Sequence, residues 1–107
     1  MNPADRETLF QFLGGYWYDR EEPDAAILQE FLADVDTQTA QQLVRCLRDF
    51  LASPAESETA KAAFVRDLVW RWFPPDSPEA PLRWLTGIAD QLTALLSLPP
   101  AESAAGA

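Results

Sequence analysis

The amino-acid sequence predicts an all-α fold, a compact single-domain bundle of about five helices. Three observations carry that expectation. Apolar residues recur at steps of three and four in several separate segments, the spacing of one buried helix face. Proline and glycine fall between those segments rather than within them. Nowhere does a stretch alternate apolar and polar residues as a half-buried strand would. At 107 residues the chain has room for one modest core, and four Trp with six Phe supply much of its volume. Residues 1–97 form the expected helical domain.

The first helix is expected from Asp5 to Leu13, with Asp5 as a candidate N-cap. Leu9, Phe10, Phe12 and Leu13 give it an apolar face, and a small domain needs such side chains inside. Gly14 and Gly15 follow, and a glycine pair suits the positive φ that ends a helix and reverses the chain. Next comes Tyr16-Trp17-Tyr18, with Trp17 assigned to the core, then Asp19, Arg20, Glu21, Glu22 and Asp24. This aromatic corner with its acidic rim is either the lid of the core or a docking surface.

Pro23 suits a helix start, and a second helix follows from Asp24 to Asp34 with Ile27, Leu28, Phe31 and Leu32 as its stripe. Negative charge at that N-terminus is favoured by the helix dipole, so part of the acidic rim has a structural reason. Asp36 or Thr37 caps a third helix to Ala52, in which Ala40, Leu43, Val44, Leu47, Phe50 and Leu51 make the clearest pattern of the chain. Ser53-Pro54 stops it. Ser57 caps a fourth helix to Trp70, with Ala60, Ala63, Phe64, Leu68 and Trp70 inward. Residues 71–81 form a loop punctuated by four prolines, from which Trp72 and Phe73 fold back on the core. Trp70-Arg71-Trp72 reads as core with the arginine over a ring, rather than as a stacking site for bases. A fifth helix from Leu82 to Leu96 buries Leu85, Ile88, Ala89, Leu92, Leu95 and Leu96. Residues 98–107 are small and unpatterned, and are expected to be disordered.

Charge narrows the function classes. The net charge is −9, and residues 1–36 carry nine acids against Arg6 and Arg20. Such a field repels nucleic acid and anionic membranes and speeds encounter with a basic partner. No apolar run approaches the ~20 residues that span a bilayer. The N-terminus has no signal-peptide pattern, and the single Cys46 fits a reducing compartment. A cytoplasmic protein is expected. Cys46 lies beside Leu47 in an apolar pattern and reads as a small buried hydrophobe.

Catalytic constellations are missing. The chain has no histidine, which removes the commonest general base and metal ligand. A lone cysteine without histidine is a poor nucleophile, and zinc sites built on cysteine need more than one. Gly14-Gly15 lacks the Lys-Ser/Thr of a phosphate-binding loop and sits among carboxylates. Asp34-Val35-Asp36 has two acids of a calcium loop without its glycine or distal glutamate. Neither an enzyme nor a cofactor or metal site is expected.

Phe12-Leu13-Gly14-Gly15-Tyr16, followed by an aromatic residue, an acid and an acid-led helix, resembles the opening motif of small immunity proteins of contact-dependent growth inhibition systems. Phe31-Leu32-Ala33, Phe50-Leu51-Ala52, Ser57-Glu58 and Trp84-Leu85 extend the resemblance over residues 8–96. Trp17 holds the second aromatic position and Asp19 stands for the motif's aspartate, while its histidine, glutamine and second tryptophan are missing. The resemblance implies a protein that binds a cognate toxin domain in the cytoplasm and blocks its active site or substrate access. Many such toxins are nucleases with basic grooves, which the acidic N-terminal third independently suits. The candidate contact residues are Tyr16, Tyr18, Asp19, Glu21, Glu22 and Asp24. Apart from the resemblance, the same corner suits a small adaptor or regulator that binds a partner helix.

Overall fold

The computed structural model describes residues 3–69 and 71–97, and within them five helices and no strand. They are α1 (Pro3–Tyr16), α2 (Asp24–Asp34), α3 (Thr37–Ala52), α4 (Glu58–Leu68) and α5 (Ala80–Leu95). No helix among the described residues is long and apolar enough to cross a membrane. The expected positions of Trp70 and of the 98–107 tail lie outside the described residues.

α5 packs on both α3 and α4, and α1 also packs on both. α3 earns its place by its stripe: Ala40, Leu43, Val44, Leu47 and Phe50 are all buried. Its N-terminus is capped by Asp36, whose carboxylate accepts the Thr39 N–H at 2.7 Å. That bond holds the Asp36 pKa below its ordinary value. Ser57 caps α4 in the same way, accepting the Ala60 N–H at 3.1 Å. α3 is tied to α5 by Arg48, which donates to the Thr93 hydroxyl at 2.7 Å, while that hydroxyl donates to Ala89 O.

α1 is the largest departure from expectation. It continues through Gly14 and Gly15 to Tyr16, and no glycine among the described residues has positive φ. The reason is packing. Leu9, Phe12, Leu13, Tyr16 and Trp17 follow steps of three and four without a break, so burying them in one stripe keeps the backbone helical across both glycines. The reversal comes later, through the turn 17–19, where Asp19 takes φ 58° and the Arg20 N–H donates to Trp17 O at 3.2 Å. Aspartate is one of the few residues that accept this left-handed conformation. Phe10 lies off the stripe and is 49% exposed, not a core residue.

α4 is rotated from the expected face. Its buried residues are Lys61, Ala62 and Val65, with Phe64 and Leu68 packed at the margin and Ala60 exposed. The determinant is Lys61, only 2% exposed, whose Nζ donates to Leu51 O and Ser53 O, each at 3.0 Å. These carbonyls lie at the C-terminal end of α3, where helix carbonyls lack intrahelical partners. Glu58 Oε1 lies 3.4 Å from the same ammonium and contributes countercharge. One turn further along α4, Arg6 stacks over Phe64 at 4.6 Å and joins α1 to α4.

α5 begins at Ala80, with Pro81 in its first turn, where a missing N–H costs nothing. Leu85, Ile88, Ala89 and Leu92 are buried as expected, but Leu95 is exposed and Leu96 packs instead. Phe73 folds onto the core from the preceding loop, whereas Trp72 does not.

Candidate functional site

The corner where α1 meets α2 is built on a run of rings. Phe31 lies edge-on to Phe12 (centroids 4.9 Å apart), Phe12 to Trp17 (5.1 Å) and Trp17 to Trp84 of α5 (5.4 Å). Two of these rings carry indole N–H groups, which need acceptors when buried. Asp24, the first residue of α2, supplies both. Its Oδ1 accepts Trp17 Nε1–H and its Oδ2 accepts Trp84 Nε1–H, each at 2.9 Å.

Arg71 closes the cluster from the loop before α5. Its Nε and Nη2 donate to Asp24 Oδ1 at 3.1 and 2.9 Å, its Nη1 to Arg20 O at 2.9 Å, and its Nη2 also to Glu22 O. Burial alone would raise the Asp24 pKa. The two indole donors and the guanidinium outweigh it and hold the carboxyl below its ordinary value. Thus one carboxylate ties together the turn after α1, α5 and the loop before α5, and through Arg71 it reaches the carbonyls of residues 20 and 22. The arginine expected over a ring is held by a carboxylate and two carbonyls.

The other candidate residues divide into two groups. Tyr16 is half-buried, edge-on to Phe31 at 5.3 Å, and its hydroxyl donates to Asp34 Oδ2 at 3.0 Å. Burial, then the Asp34 carboxylate, raises its hydroxyl pKa. Glu22 is exposed but pairs with Arg20 at 3.0 Å, which also reaches Glu30 at 2.7 Å. The Arg20 bond, aided by backbone N–H groups, keeps the Glu22 pKa low. Tyr18 is 63% exposed, and Asp19 and Glu21 are exposed with no ion-pair partner among the described residues. So Tyr16 and Asp24 are occupied in holding the corner, Glu22 is neutralised by Arg20, and Tyr18, Asp19 and Glu21 face outward.

Trp72 completes the outward face, against the expectation from the sequence that it folds back on the core. It is 79% exposed and lines a cleft of about 560 Å³ with Glu21, Val69 and Arg71. A signal for this was present in the sequence: in a non-helical segment neighbouring side chains diverge. Once Arg71 turns inward to Asp24, Trp72 is left pointing out.

A second groove, of about 610 Å³, runs between α1, α2 and α3 over a floor of Phe12, Phe31, Leu43 and Cys46. Cys46 is half-buried rather than fully buried, and its Sγ lies 3.5 Å from Asp5 Oδ1. Burial, then the Asp5 carboxylate, pushes the Cys46 thiol up to about 11. It is therefore a thiol at neutral pH and a poor nucleophile. Among the described residues no group of three or more His, Cys, Asp or Glu is placed to hold a metal ion.

The corner presents fixed rings, outward carboxylates and an exposed indole. No curated protein and no solved structure matches the chain. A protein-family model described as CdiI immunity protein matches residues 6–92, from the first turns of α1 to the last turn of α5. The chain belongs to the CdiI immunity protein family, a family of toxin-neutralising proteins.

Proposed function

We propose that the chain neutralises a cognate toxin of nuclease type in the cytoplasm by laying its acidic corner over the toxin's basic substrate groove. Tyr18, Asp19, Glu21 and Glu22 make the contact, and Tyr16 and Asp24 hold the surface in shape. The single observation that supports this reading most is the placement of charge. Residues 1–36 carry nine of the seventeen acids and only two of the eight bases. Two of the carboxylates at the corner, on Asp19 and Glu21, have no cation of their own among the described residues. Carboxylates of that kind match a groove shaped for phosphates and accelerate encounter. The chain binds neither nucleic acid nor membrane on this reading, and catalyses nothing itself.

The test is co-expression with the toxin region encoded beside the gene, followed by pull-down and growth measurement. A stoichiometric complex and restored growth are expected. Glu21→Lys with Asp19→Asn, which removes the charge but keeps a residue suited to φ 58°, should weaken capture most at low salt while leaving helicity intact. Failure to protect, with capture of a housekeeping protein instead, would leave the adaptor reading.

A further inference from the structure

The cleft beside Glu21 has features that the corner's charge alone does not explain. Trp72 is the most exposed large apolar side chain among the described residues, and an indole left in water forgoes the burial it would gain in a core. It does not hang free. The residue before it, Arg71, is fixed by Asp24 and the carbonyls of Arg20 and Glu22, so the indole is presented from a braced loop. Val69, almost fully buried, gives the cleft an apolar base, and Glu21 gives it one outward carboxylate. Arg71 also lines the cleft, but its guanidinium is drawn inward onto Asp24.

An apolar base, an aromatic face and a carboxylate together match one side chain best. Guanidinium stacks flat on indole, its stem lies along apolar surface, and its fork pairs with carboxylate. Resting on the toxin-binding reading above, we propose that this cleft seats an arginine of the toxin, stacked on Trp72 and paired with Glu21. The braced loop lowers the ordering cost of forming that contact. Trp72 and Glu21 are then the energetic centre of the interface, and the remaining acids steer approach.

The experiment is calorimetric titration of the purified toxin region encoded beside the gene against the intact chain and its variants. Trp72→Ala should weaken binding about thirtyfold or more, as expected of an aromatic hot spot. Trp72→Phe should lose less, because the smaller ring still stacks. Glu21→Gln should weaken binding about fivefold, with the difference shrinking at high salt. Glu7→Gln, in the groove between α1, α2 and α3, should leave affinity unchanged. Wild-type affinity in Trp72→Ala overturns the arginine seat and leaves toxin neutralisation standing. A dimer of this chain in sedimentation that Trp72→Ala abolishes overturns it too, by giving the cleft to a second copy. A wild-type chain that captures no toxin overturns both readings.

Discussion

Two carboxylates three residues apart, Glu21 and Asp24, each have a tryptophan as neighbour and are used in opposite ways. Asp24 sits at the start of α2 with its oxygens on Trp17 Nε1, Trp84 Nε1 and Arg71. Glu21 lies in the turn before it, exposed, beside the exposed Trp72. Composition does not distinguish the pairs; both are an acid and an indole. What differs is the direction each indole N–H must face. Trp17 and Trp84 sit against the core, and their donors need an acceptor inside. Trp72 projects into solvent, where water can serve its N–H. The inner pair thus ties the corner together, the outer pair is left facing solvent where the proposed toxin contact would form, and Arg71 links the two.

Breaking the inner pair should have the largest effect. Asp24→Ala leaves two indole donors and a partly buried guanidinium without their acceptor, and should cost about 3 kcal/mol in urea unfolding. Asp24→Asn, which still accepts at one oxygen, should cost less. The same pair predicts a pH dependence. The Asp24 pKa is held below its ordinary 3.8, so its contribution is complete above that value. It is lost as pH falls through the lower folded value. Wild type should therefore lose more stability than Asp24→Asn below about pH 4. Asp36 and Glu22 also have lowered values, but they are common to both proteins and cancel in the difference. Equal slopes for the two proteins would detach Asp24 from the brace.

The fold class and family were legible because helix periodicity and the Phe12-Leu13-Gly14-Gly15-Tyr16 motif are local features. The stripe of α3 and the caps Asp36 and Ser57 stand as expected. What was not legible depends on partners far along the chain. Lys61 is absent from the inward residues expected of α4, because a lysine is buried only once the carbonyls at the end of α3 are there to accept its ammonium. Arg71 reads as an arginine held over a ring until Asp24, forty-seven positions earlier, is brought to it. Cys46 and Phe10 were displaced for a simpler reason: each lies at the edge of a helix face, where one step of rotation decides exposure.

The glycine pair is the intermediate case, and it sharpens the inner half of the corner. From the sequence, Gly14 and Gly15 read as residues at positive φ that turn the chain. In α1 they are helical, and a Cβ at Gly14 would meet Leu68 Cδ2 at an ordinary 3.8 Å while one at Gly15 would meet nothing. Glycine in a helix costs conformational entropy, so Gly14→Ala and Gly15→Ala should each add about 0.5 kcal/mol. A rise in melting temperature checks this. A fall would mean that the reversal needs these glycines after all, and that Asp19 does not carry it alone.

The smallest effect belongs to the outer pair, and it is the one that separates the two halves. Glu21→Gln and Trp72→Ala change exposed side chains that form no ion pair or ring contact among the described residues. Their melting temperatures should stay within about 3 °C of wild type, as for substitutions away from packed or paired groups. A larger fall in Trp72→Ala would mean that the indole shields Val69 or braces Arg71, making it part of the core's lid. The Trp72 result in the toxin titration would then need Trp72→Phe to separate lost packing from lost contact. An unchanged melting temperature, beside the large loss expected of Asp24→Ala, would establish that neighbouring acid–indole pairs divide stability from recognition.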